Sequence, residues 1–164
     1  MLHRPIKTMR IHALFLAGAI AMAAVTPARA QDQGLVTRPS THSVRDTIDR
    51  FNGAVRRKGW VVFTELDHAA AAAAVGMTLR PRIVVIFGNP RAGTAAMQNH
   101  PTLALDLPMR VLIWEDDQGG VFITRSSGAD IASRVFARHD IVLPPGASQS
   151  MDALLEDLVR QASQ

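Results

Sequence analysis

The chain has 164 residues, of which 18 are Lys or Arg and 14 are Asp or Glu, and it contains no cysteine. This length is typical of one domain. Without cysteine, the sequence excludes a disulfide framework, a thiol nucleophile and lipid attachment through an N-terminal cysteine.

The first thirty residues have the features of a secretory signal peptide. Arg4, Lys7 and Arg10 form a basic start, residues 13–25 form an uncharged apolar run, and the small residues around Ala30 suit signal peptidase. A membrane anchor is the alternative, but a span needs about 20 apolar residues and this run has thirteen. We therefore expect cleavage after Ala30 and a domain in the periplasm or the medium, with no stable membrane anchor.

Cleavage would change the charge of the chain. It removes four basic residues and no acidic residue, which leaves fourteen of each sign and a net charge of zero. The high pI therefore belongs to the precursor, and it is not evidence for nucleic-acid binding. Translation could start at Met1 or at Met9, because either start leaves a complete signal.

Residues 31–40 are polar and predict a flexible tail, with a short strand over Leu35–Thr37 as the alternative. Ser43 and Asp46 have the spacing of a helix-capping pair, and apolar residues recur at helical spacing from there to Gly59. The sequence therefore predicts one long helix at the start of a domain over residues 41–164.

Two strands are predicted next. Trp60–Leu66 is rich in β-formers, and Asp67 can cap the short alanine-rich helix that follows and ends at Gly76. Arg82–Phe87 contains a continuous apolar run that is typical of a strand buried on both faces or central in a sheet.

The second half predicts a hairpin and further helices. Residues 88–90 indicate a turn, and residues 94–99 a short helix. Strands over Met109–Glu115 and Val121–Arg125 must be antiparallel, because their connection is too short for a crossover. Helices over Ala129–Arg138 and from a cap at Ser150 complete an α+β fold, a single sheet with helices packed on one face.

Several of these segments resemble the bacterial domain-of-unknown-function family 302. The segments that carry the resemblance are Leu66-Asp67-His68, residues 79–81, Gly88-Asn89-Pro90, Met97, residues 104–108 and residues 110–116. It covers roughly Thr41 to Gln161. The resemblance implies a TATA-binding-protein-like arrangement, in which a curved, mainly antiparallel sheet carries two main helices, and it implies that a homodimer can form. It implies no particular reaction or cofactor, and fold similarity to a DNA-binding protein implies no DNA binding.

A set of polar residues lies at or beside strand ends, where sites often form. The set is Asp67, His68, Asn89, His100, Asp106 and Arg110. An aspartate could orient a histidine that acts as a base, and the two histidines with a carboxylate could bind zinc or copper. No histidine pair has the spacing of a metal motif, so we predict no metal site.

Each candidate also has a structural interpretation. Asp67 can be a helix cap and Asn89 a turn former. Asp106 lies between leucines and needs a partner, for which Arg110 is the candidate, or else it serves a ligand site. His100 and His139 are interpreted as loop residues at the surface.

Two functional hypotheses follow. The first is a non-enzymatic exported domain that binds a small apolar or amphipathic ligand, or a partner subunit. Met97 and Met109 could line such a pocket, although packing in the core is their simpler role. The second is an acid–base or metal-assisted enzyme that uses Asp67, His68 and Asp106. Neither a Gly-x-Ser-x-Gly elbow nor a phosphate-binding loop is present in the sequence.

Overall fold

The computed structural model describes residues 34–164. The predicted signal peptide and its cleavage after Ala30 lie outside the described residues. Five strands form a single sheet in which all neighbouring strands are antiparallel, in the order β1-β5-β4-β3-β2. The strands are β1 (Leu35–Ser40), β2 (Val61–Asp67), β3 (Arg82–Gly88), β4 (Met109–Glu115) and β5 (Val121–Ser126).

Two long helices pack on one face of this sheet, which confirms the predicted α+β class. The α-helices are α1 (Val44–Arg57), α2 (His68–Ala73), α3 (Pro90–Asn99), α4 (Gly128–Asp130) and α5 (Ala147–Ser163). Pro101–Leu105 and Ala137–His139 are 3₁₀ turns, and the π-helical segment Ile131–Phe136 lies between α4 and the second of them. None of the helices within residues 34–164 is long and apolar enough to cross a membrane.

The capping pair predicted for α1 is present. The Ser43 hydroxyl accepts a hydrogen bond from the Asp46 backbone N–H at 3.1 Å, which satisfies one free donor of the first turn. Phe51 and Val55 of this helix are fully buried, and the Phe51 ring meets the Phe87 ring of β3 edge to face, with 5.0 Å between centroids. Burial of one such side chain contributes about 1.5–3 kcal/mol, so the 3.6-residue period of α1 supplies much of the core.

The apolar run of β3 is buried on one face only. Ile83, Val85 and Phe87 point into the core beneath the long helices, whereas Val84 and Ile86 are half-buried on the opposite face. Of the two predicted alternatives the structure confirms the second, because β3 lies inside the sheet and pairs with both β2 and β4. It is not buried on both faces, because the long helices cover one face of this open sheet.

Three predicted boundaries also differ. The alternative of a strand at Leu35–Thr37 is confirmed and extends to Ser40, so residues 35–40 are not a tail, because Leu35–Ser40 pairs with β5 along its whole length. Helix α3 begins at Pro90, four residues before the predicted start, because Asn89 caps it. Helix α5 begins at Ala147 rather than after a cap at Ser150, because a turn from Pro144 leads into Gly146 with φ near 80°.

Candidate functional site

An apolar groove opens at the end of the sheet where β2 and β4 begin and β3 ends. Its volume is about 580 Å³, within the range of pockets that hold small ligands. The walls come from these strand ends, from α3, from the π-helical segment and from the first half of α5. Its larger side chains are Trp60, Phe63, Met97, Met109, Phe136, Met151 and Leu154.

The lining carries no charge. Among the described residues that line the groove, the polar side chains are those of Asn89, Thr94 and Ser150, all neutral. Transfer of an ionised group from water into such surroundings would be strongly unfavourable. The three methionines offer flexible, polarisable surface that adapts to ligand shape. The chemistry of the walls therefore favours an uncharged, mainly apolar ligand.

Glycine keeps part of the groove open. A Cβ atom on Gly93 of α3 would lie 3.9 Å from the Leu107 side chain and 4.0 Å from that of Met97. These are ordinary contact distances, so a side chain fits here without displacing backbone. A larger side chain at this position would project into the space that the groove now leaves free.

Two of the predicted site residues, Asn89 and Met97, line the groove. The Asn89 side-chain oxygen accepts hydrogen bonds from the N–H groups of Arg91 and Ala92 at 3.0 and 3.3 Å. Asn89 thus has a structural role, but as the cap of α3 rather than as the predicted turn former, and it remains at the groove wall. Met97 is partly buried there, on the inner side of α3.

Asp67 and His68 lie at the opposite end of the sheet. Asp67 pairs with Ile83 at the start of β3, whereas the groove begins at Gly88, five residues further along that strand. At about 3.4 Å per residue this separation is roughly 17 Å. The Asp67 carboxylate caps α2 by accepting from Ala69 N–H at 2.9 Å, as predicted, and His68 is exposed.

Asp106 lies at the groove end of the sheet, three residues before Met109, which pairs with Phe87. The hypothesis that Asp67, His68 and Asp106 share an acid–base site was therefore wrong, because antiparallel pairing puts them at opposite ends of β3. The exposed Arg110 is not the partner of Asp106 either.

Asp106 is instead bonded to a histidine that the sequence placed at the surface. His139 Nε2 lies 2.7 Å from Asp106 Oδ2, and Arg138 lies 3.4 Å from the same carboxylate. The hydrogen bond from His139 holds the pKa of Asp106 below its usual value, and the charges of Arg138 and Arg110 add to this effect.

The prediction of a surface loop at His139 was wrong, because the side chain is only 4% exposed. The 3₁₀ turn ends at Asp140 in the left-handed conformation. His139 Nδ1 lies 2.8 Å from the hydroxyl of Thr102 in the turn Pro101–Leu105. The sequence could not predict this contact, because it joins a single threonine to a single histidine 37 residues away and no local pattern links them.

Within residues 34–164 no group of three or more His, Asp or Glu side chains is arranged to hold a metal ion.

Comparison with a solved structure supports the fold. A crystal structure described as an uncharacterized conserved protein DUF302 from Bacillus stearothermophilus superposes with a TM-score of 0.65. The match covers 79% of this chain and 98% of that one, at 11% sequence identity. At this identity the likeness concerns the fold alone.

Curated relatives come from Brucella. The chain is 47% identical over 103 residues to fluoride-specific ion channel FluC 1 of Brucella suis biovar 1 (strain 1330), a match over 63% of this chain and 41% of that protein. It is equally similar to fluoride-specific ion channel FluC 2 of Brucella melitensis biotype 1, of which the match covers 38%. The match thus spans about two-fifths of the length of these relatives.

The family model described as Domain of unknown function DUF302 matches residues 36–158. This range starts in β1 and ends in α5, so it takes in every strand of the sheet. The chain therefore belongs to the DUF302 family.

Proposed function

We propose that this protein binds a small, uncharged, mainly apolar ligand in the groove between α3, α5 and the sheet. The observation that carries the proposal is the groove itself, about 580 Å³ of space with apolar walls and no charged residue among the described lining. Exposure of this surface to water is unfavourable at about 25 cal/mol per Å², and an apolar ligand would relieve that cost. Walls without ionisable groups suit the binding of an uncharged ligand.

We also propose that binding takes place outside the cytoplasm. The support is the basic start, the apolar run of thirteen residues and the small residues before Gln31. N-terminal sequencing of the protein from its native host should find Gln31 as the first residue. A chain that still begins at Met1 or Met9 would contradict export by cleavage.

A neutral fluorescent probe tests the groove directly. 1-N-phenylnaphthylamine is apolar and uncharged, and its fluorescence should rise on titration with the protein. Gly93→Leu should raise the dissociation constant at least about tenfold, equivalent to about 1.4 kcal/mol of lost binding, because the new side chain occupies the groove.

Ala95→Leu is the matched control. Ala95 lies on the exposed side of the same helix and is not part of the lining, so this variant should bind the probe as the native protein does. Circular dichroism should show that both variants fold. Equal binding by native protein and Gly93→Leu, or no binding by either, would contradict the proposal.

A second candidate function follows from the Brucella relatives. Because 103 residues of this chain are 47% identical to part of a fluoride-specific ion channel, we propose that the domain can act beside a membrane channel. Deleting the matched segment from the Brucella suis protein should change fluoride efflux from vesicles, and adding the isolated domain should partly restore it. Unchanged efflux would contradict this role.

A further inference from the structure

Thr102, His139 and Asp106 form a continuous chain of hydrogen bonds near the groove. The Thr102 hydroxyl lies 2.8 Å from Nδ1 of His139, and Nε2 of the same ring lies 2.7 Å from Asp106 Oδ2. Hydroxyl, imidazole and carboxylate in this order are the groups that activate an oxygen nucleophile. Both distances fall in the range required for proton transfer.

The carboxylate fixes the direction of these hydrogen bonds. An ionised Asp106 can only accept, so Nε2 of His139 must carry the proton that it shares with Asp106. In the neutral ring Nδ1 then has a free lone pair, and Thr102 must donate its hydroxyl proton to it. The proton therefore already points at the atom that would remove it. The charges of Arg138 and Arg110 also act on the Asp106 carboxylate and favour its ionised form.

Burial differs along the chain of hydrogen bonds. The side chains of His139 and Asp106 are 4% and 14% exposed, whereas Thr102 is exposed. The base His139 is therefore shielded from water, whereas the hydroxyl of Thr102 is accessible to a substrate. The groove is close by, because Leu107 follows Asp106 directly and Phe136 lies one turn before His139, and both line it.

We propose that Thr102 is a nucleophile for acyl transfer from carboxylic esters that carry an apolar group, with His139 as its base and Asp106 as a positioning residue. Thr102 Oγ1 forms a bond to the acyl carbon while the bond to the ester's alcohol oxygen breaks. His139 Nδ1 takes the threonine proton and gives it to the departing alcohol. Water then attacks the acyl-threonine with the same base, which releases the acid and restores the hydroxyl. The preference for esters with an apolar group depends on the proposed function, whereas the acylation of Thr102 does not.

p-Nitrophenyl butyrate tests the proposal, because release of p-nitrophenolate is coloured and the acyl group adds mass to the modified peptide. The native protein should release p-nitrophenolate faster than buffer and carry the butyryl group on Thr102. Thr102→Val should lose about 10²-fold in rate, and Thr102→Ser should retain activity. Thr78→Val, which removes an exposed hydroxyl in the segment between α2 and β3, should match the native protein.

The readout for Asp106 is spectroscopic. In the native protein the ¹⁵N signals of His139 should show the proton on Nε2, and in Asp106→Asn they should show a mixture of tautomers with a lower rate of acylation. Acylation at residues other than Thr102, or an undiminished rate in a folded Thr102→Val protein, would overturn the proposal. Failure of the groove to bind an apolar probe would contradict the proposed function, whereas butyrylation of Thr102, detected by mass, would still support the nucleophile.

Discussion

Arg125 of β5 donates a hydrogen bond to the carboxylate of Asp152 on α5 at 2.7 Å, and only 3% of the arginine side chain remains exposed. Its second terminal nitrogen lies 3.2 Å from Glu156, one turn further along the same helix. The two carboxylates are 45% and 35% exposed. A buried cation is thus held by two acids that still reach water.

The difference in burial between Arg125 and its two acids predicts which replacement destabilises the protein more. Replacing both acids, as in Asp152→Asn with Glu156→Gln, leaves the buried guanidinium without its counter-charges and should lower the free energy of unfolding by about 3–5 kcal/mol. Arg125→Met leaves two hydrated carboxylates and an apolar side chain of similar length, so it should cost less. Urea denaturation of the variants measures this difference. A larger loss in Arg125→Met than in the double variant would contradict the interpretation.

Stability should fall in acid. The pKa of Asp152 is lowered in the folded protein, mainly by its hydrogen bond from Arg125 and also by the Gly128 N–H, and that of Asp106 is lowered mainly by His139. An aspartate in the unfolded chain has a pKa near 3.9, so the unfolded state binds protons first as the pH falls. The stabilisation is therefore complete above about pH 5 and is lost as the pH drops through the folded-state pKa values.

Denaturation from pH 6 to about pH 2 should show this dependence, and Asp152→Asn should weaken it. The variant should be less stable than the native protein at pH 6, and the two should converge in acid, where both carry a neutral side chain at position 152. A constant gap between them at every pH would mean that the charge of Asp152 contributes nothing.

Close approach between α4 and α5 requires glycine at position 128. A Cβ there would lie 2.0 Å from the backbone oxygen of Ser148, so Gly128→Ala must push the two helices apart. We expect the free energy of unfolding to fall by at least about 3 kcal/mol, the upper end of the usual range for overpacking. Gly53→Ala in α1 is the control, because its Cβ would meet only the flexible end of Arg57. It should stabilise the protein by up to about 1 kcal/mol, and thermal unfolding compares the two.

Strand β1 should be essential rather than dispensable. It pairs with β5 from Leu35 to Ser40, and Arg38 forms an ion pair with Glu156. A protein that begins at Thr41 would expose the edge of β5 and should unfold at a clearly lower temperature or aggregate. A truncated protein with an unchanged melting temperature would show instead that residues 31–40 behave as the sequence alone predicts.

Local signals explain what the sequence did reveal. Three predicted elements depend only on residues that are neighbours in the chain, and all three were predicted in the right place. They are the Ser43–Asp46 cap, the continuous apolar run of β3 and the Asp116–Gly120 hairpin. The sequence offered β1 only as a short alternative over Leu35–Thr37. An edge strand needs few apolar residues, and a polar segment such as Thr37–Ser40 has no period that separates strand from tail.

Long-range contacts explain what it missed. Arg125 pairs with Asp152 and Glu156, which lie 27 and 31 residues away in the sequence. His139 and Asp106 are separated by 33 residues. The groove draws on five separate parts of the chain, so Asn89 and Met97 could be suggested as site residues while the matching walls on α5 could not. Nothing local marks Met151, which also packs against the core, as a wall of the same groove as Met97.

The methyl groups of the methionines offer the most direct test of a ligand-binding groove. Met97, Met109 and Met151 line it, whereas Met77 is 66% exposed and lies outside it. In a titration of ¹³C-methyl-methionine protein with 1-N-phenylnaphthylamine, the signals of the first three should shift together and saturate, while that of Met77 stays fixed. Signals at all three groove methionines that do not move, or a response confined to Met77, would contradict binding in the groove.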